Sequence, residues 1–120
     1  MSFKFERLHI WQKAMTLGEE INSAVNKFPK KEMYNLSSQI RRAADSIALN
    51  ISEGCIVQSN REYRKFLGYS IRSLAEVVTC LYKAKYRSYI SEADFDEKYS
   101  KCYLLMNMMI AFRNTIKPKN

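Results

Sequence analysis

Residues Gln39–Gly54 read QIRRAADSIALNISEG. Ile40, Ala43, Ala44, Ile47 and Ile51 recur at steps of three and four, the period of an amphipathic helix rather than a strand. Leu36 extends the stripe backward; Asn and Ser side chains within Asn35–Ser38 can cap its start, and Gly54 is a plausible C-terminal stop. A second, polar line runs beside the stripe: Gln39, Arg42, Ser46, Asn50 and Glu53. Such a seam at the edge of a buried face can be a catalytic site, a nucleic-acid contact or a packing seam between subunits.

The same period extends outward in both directions. Leu8, Trp11, Ala14, Leu17, Ile21, Ala24 and Phe28 predict a first helix over about Glu6–Lys27, ended by Phe28-Pro29. Beyond a polar break at Gln58–Asn60, a third helix is predicted over about Arg61–Tyr89, roughly 43 Å long at the standard rise. Its seam is Tyr63, Leu67, Ser70, Leu74, Val77, Leu81 and Ala84. Ser91-x-x-Asp94 resembles a capping box and opens a fourth helix, striped by Phe95, Tyr99, Cys102, Met106, Met109 and Ile116. Lys117–Asn120 is a polar tail. No stretch reads as a strand. The expected fold is all-α, a single domain over residues 1–120 built as an up-down-up-down four-helix bundle.

The apolar faces are wide. Phe66, Tyr69, Ile71, Val78, Cys80 and Tyr82 flank the third helix's seam, opening its arc to roughly 220° against the ~100° of one core-facing stripe. Leu105, Met108 and Phe112 widen the fourth helix on one flank, Tyr103 and Ile110 on the other. A large apolar excess marks an interface, so a homo-oligomer is expected.

With 20 Lys+Arg against 12 Asp+Glu, the 120-residue chain carries a formal +8, which fits nucleic acid or another anionic partner. No basic run exceeds two residues, so any basic surface must be assembled by folding. No apolar run approaches a membrane span, and Met1–Glu6 lacks a secretory h-region, so a cytoplasmic location away from membranes is expected. Cys55, Cys80 and Cys102 read as reduced thiols in or near the core.

Chemistry finds little support. His9 is the sole histidine, Gly18, Gly54 and Gly68 are isolated, and Asp45 and Glu53 face different directions. No catalytic, metal-binding or cofactor-binding site is read. Arg41, Arg61, Lys65, Arg72 and Lys83, on outer helix faces, are the candidate phosphate contacts, with the eight tyrosines as possible stacking surfaces. Arg42, Ser46, Asn50 and Glu53 are the candidate assembly seam. Arg42 and Glu53 are too far apart to pair along the helix, so their partners are expected from elsewhere. A half-buried Asn is best attested as a device that fixes register and assembly.

WQKAM (Trp11–Met15), the Phe28-Pro29 stop with Glu32-x-Tyr34, SQIRRAADSIALNISEG (Ser38–Gly54) and REYRKFLGYSIRSLAE (Arg61–Glu76) resemble the bacterial 23S rRNA intervening-sequence proteins. The resemblance covers nearly the whole chain. Arg41, Arg42, Asn50, Glu53 and Gly54 match its middle block, and Ser52 stands where that family commonly has Ala. It implies a four-helix bundle assembled as a homopentamer, with no catalytic residue to carry over. The chain is also similar to the accessory variability protein of diversity-generating retroelements. That similarity implies nucleic acid, and a reverse transcriptase, as partners. The reading adopted is a non-enzymatic basic oligomer that binds nucleic acid, RNA before DNA. The rival is a scaffold for an acidic protein partner.

Overall fold

The computed structural model describes residues 1–119; Asn120, the last residue of the expected tail, lies outside them. A 3₁₀ turn at Lys4–Arg7 precedes α1 (His9–Val25), and a second at Lys30–Glu32 precedes α2 (Leu36–Ile56). Then come α3 (Asn60–Tyr86) and α4 (Glu92–Thr115), with no strand among the described residues. Each helix packs on the next, and α4 returns against α1. Cross-helix pairs show that directions alternate. Arg41, early in α2, bonds Asn22 late in α1 and Asn26 just after it. Ser70 of α3 donates to the Ile47 carbonyl of α2 at 2.8 Å, while Gly54 faces Tyr63 and Phe66. Arg64, early in α3, reaches the carbonyl of Arg113 late in α4. This is the contact pattern of an up-down-up-down bundle.

All seven seam residues expected on α3 are buried, as is the α2 stripe. Ser70 tolerates complete burial because its hydroxyl spends its donor on Ile47. The three cysteines lie buried in the same core. Burial pushes the Cys102 thiol up to about 12 and raises that of Cys80, where the Glu76 charge adds to the effect.

Much of the apolar width is absorbed within the protomer. Because α3 lies between α2 and α4, Cys80 is buried and Phe66, Tyr69, Ile71 and Val78 are half-buried. On α4, Leu105 is buried and Met108 and Phe112 pack against the core. What stays exposed is narrower: Tyr82 at 36 % on α3, and Leu104 at 64 %, Tyr103 at 59 % and Ile110 at 42 % on α4.

Several boundaries differ from expectation, each for a local reason. The first helix starts at His9 because Leu8 is extended, at φ −76° and ψ 125°. Asn35 makes no side-chain cap at the start of α2. Glu32 takes that role, its Oε1 accepting the Leu36 N–H at 3.4 Å and Asn35 Nδ2 at 3.0 Å. Gly54 is not a stop. It lies inside α2, where a Cβ would come within 2.8 Å of Phe66 Cβ, so the glycine permits close approach of α3. The third helix ends at Tyr86 rather than Tyr89. Ser88 turns left-handed at φ 63°, Tyr89 N–H bonds the Ala84 carbonyl and Ser88 N–H the Lys85 carbonyl. These paired bonds form a Schellman motif with serine where glycine is usual. Ser91 caps α4 as read, its Oγ accepting the Asp94 N–H at 3.1 Å.

Glu32 also receives the Tyr89 hydroxyl at 2.7 Å and Arg87 Nη1 at 3.2 Å on Oε2. The Tyr89 hydrogen bond, aided by Asn35, the Leu36 N–H and the Arg87 charge, holds this carboxyl below the usual carboxylate range against the opposing effect of burial. The same bond pushes the Tyr89 phenol upward.

Candidate nucleic-acid interface

Arg61, Arg64, Lys65, Gly68 and Arg72 recur along α3 at helical steps, which places them on one outer face. The antiparallel return of α4 sets its last turn beside that face and contributes Arg113. Together with Tyr69 and Pro118 these residues line an open groove of about 410 Å³. Among the described residues, five of its lining side chains are cationic and none is a carboxylate. Glu62 adjoins it, 3.6 Å from Lys65, in an exposed pair of small energetic weight.

Two of the cations are held by backbone. Arg64 Nη1 donates to the Arg113 carbonyl at 2.8 Å and the Ile116 carbonyl at 2.9 Å, satisfying the end of α4 where a positive charge also favours the helix dipole. Arg113 Nε returns a bond to the Arg64 carbonyl at 2.9 Å. Like charges are thereby fixed side by side, which raises the attraction of the groove for an anion. Arg72 lies over the Tyr69 ring, its Cζ 5.1 Å from the centroid.

Of the expected phosphate contacts, Arg61, Lys65 and Arg72 come together here. Lys83 is exposed but sits 18 residues beyond Lys65 on α3, about 27 Å along the helix axis. Arg41 is engaged elsewhere: Nε donates to Asn22 Oδ1 at 2.8 Å and Nη2 to Asn26 Oδ1 at 2.6 Å, tying α2 to α1. The sequence reading missed Arg64 and Arg113. Arg64 does share the helical spacing of Arg61 and Lys65, but Arg113 joins them only through the antiparallel packing.

The polar seam of α2 bonds within its own helix. Arg42 Nη2 donates to Ser38 Oγ at 3.0 Å, Ser46 Oγ to the Arg42 carbonyl and Asn50 Nδ2 to the Ser46 carbonyl, both at 2.9 Å. The expectation that Arg42 draws its partner from another element is not met in the protomer. Glu53 is exposed.

His9 is exposed at the start of α1. Among the described residues, no group of three or more His, Cys, Asp or Glu side chains could hold a metal ion. No helix there is long and apolar enough to cross a membrane. A larger recess of about 780 Å³ lies beside α1 and the α3–α4 connector, lined by both signs of charge, including Glu19, Glu20, Asp94, Lys27 and Lys98. Lys98, nearly buried, bonds Glu97 at 2.7 Å. No curated protein matches the chain. A family model described as 23S rRNA-intervening sequence protein matches residues 6–111.

Proposed function

Because the chain belongs to the 23S rRNA-intervening sequence protein family, we propose that it is a non-enzymatic, homo-oligomeric protein that binds nucleic acid, RNA before DNA, by its phosphates. The observation that carries this reading is the groove in which Arg61, Arg64, Lys65, Arg72 and Arg113 converge with no carboxylate among the described lining residues. Phosphate contacts of this kind position a strand without reading its sequence. The net charge of +8 adds a long-range attraction of the same sign. Self-association repeats the groove in each subunit, and exposed Leu104, Tyr103 and Ile110 on α4 supply an apolar surface for it.

Retardation of RNA by the assembled protein at low salt tests the proposal. Binding falls steeply as salt rises, and replacing Arg61, Lys65 and Arg72 together by Gln weakens it and flattens the salt slope. Each lost phosphate contact removes about 0.7–0.9 from that slope. Arg64→Gln weakens binding and also loosens the end of α4, since two carbonyls lose their donor. Absence of retardation of RNA and DNA at low salt overturns the proposal and leaves an acidic protein as the partner of the cations.

A further inference from the structure

We infer that the basic groove takes single-stranded nucleic acid, with one base stacked on the platform formed by Arg72 and Tyr69. This rests on the phosphate-binding reading above and adds the form of nucleic acid that the groove accepts. Phosphate binding needs only cations, and Tyr69 has no part in it; yet among the described residues Tyr69 is the one aromatic side chain lining the groove. Its ring is braced edge-on by Phe66, at 5.7 Å between centroids and 85° between planes, and carries the Arg72 guanidinium above it. Bracing fixes a flat, polarizable surface beside the cations. Aromatic rings and guanidinium planes are the two surfaces on which unpaired bases stack. In a duplex the base faces are covered by neighbouring pairs, so a duplex offers this platform nothing beyond its backbone. A single strand can place phosphates on Lys65, Arg61 and Arg113 while a base between them meets the platform. Lys65 and Arg72 are seven residues apart, about 10 Å along α3, close enough to serve one short stretch of strand.

The test uses the full chain and fluorescence anisotropy with three labelled probes of equal phosphate number: a short oligouridylate, an RNA hairpin duplex and an abasic strand. The oligouridylate binds on the order of ten-fold more tightly than the other two. Tyr69→Leu, which keeps an apolar contact with Phe66, reduces its binding to the duplex level; Tyr69→Phe retains the preference. Circular dichroism melts accompany both variants, and the abasic strand reports on the native protein should Tyr69→Leu fold poorly. Equal binding of all three probes overturns the inference and leaves the phosphate reading standing. Binding of none at low salt overturns the phosphate reading itself.

Discussion

The Tyr89 hydroxyl donates to Glu32 Oε2 at 2.7 Å across 57 residues of chain, joining the α1–α2 connector to the α3–α4 connector. Both connectors lie at the same end of the bundle, and Arg87 adds a second bond from the end of α3. One buried carboxylate thus serves as helix cap and clasp together. A carboxyl whose native pKa lies below its unfolded value adds stability that is full above the unfolded pKa and is lost as pH falls through the native one. Thermal stability therefore declines as pH drops below the usual carboxylate range. Glu32→Gln flattens that part of the profile, and Tyr89→Phe diminishes it. Melting followed by circular dichroism between neutral and strongly acid pH checks both outcomes. An unchanged profile in Glu32→Gln assigns the acid sensitivity to other carboxylates.

Gly54→Ala sets two effects against each other. Alanine favours a helix interior by about 1 kcal/mol over glycine. Here, though, the new methyl would lie 2.8 Å from Phe66 Cβ and 3.1 Å from Tyr63 Cδ1, close to the backbone of α3 and not at the end of a flexible chain. Overpacking of this kind costs about 1–3 kcal/mol, so the variant is less stable in urea titration. Greater stability would show that α2 and α3 separate easily.

Ser88→Gly acts in the opposite direction. Serine at φ 63° carries the left-handed penalty that glycine escapes, of about 1–2 kcal/mol, against an entropic cost of about 0.5–1 kcal/mol in the unfolded chain. The variant gains roughly 0.5 kcal/mol, read as a higher urea midpoint with an unchanged slope.

Assembly is checked by mass. The expected outcome in light scattering is a particle well above the 14.1 kDa protomer, with Leu104→Glu and Ile110→Glu together lowering that mass without loss of helix content. A clean monomer of the native chain rules out self-association.

How much of this was legible beforehand follows from what periodicity can carry. Burial of Tyr63, Leu67, Ser70, Leu74, Val77, Leu81 and Ala84 follows from spacing alone, because a helix forces residues three and four apart onto one face. Gly54 misled because a glycine near a helix end has the same signature whether it turns the chain or admits a neighbour; only Phe66, supplied by another helix, decides between them. Glu32 was overlooked as a cap because its bonds to Arg87 and Tyr89 depend on two connectors meeting in space. The groove was half-visible for the same reason. Arg61, Lys65 and Arg72 share a helix, but Arg113 arrives only through the antiparallel return of α4. Arg41 has the spacing of an outer-face phosphate contact, yet it bonds Asn22 of α1 and Asn26 just beyond it. Local rules rank neighbours within a helix and are silent about those across it.

The buried cysteines make the molecule a recorder of its own opening. Thiols react as thiolates, and a thiol pushed up to about 12, as Cys102 is, offers almost none at neutral pH even to a reagent that reaches it. Alkylation must therefore wait for exposure. Cys55 lies one residue from the end of α2, whereas Cys80 and Cys102 sit further inside α3 and α4. The order in which the three acquire a label during a timed pulse becomes a map of which helices part first, obtained from native side chains without an added probe.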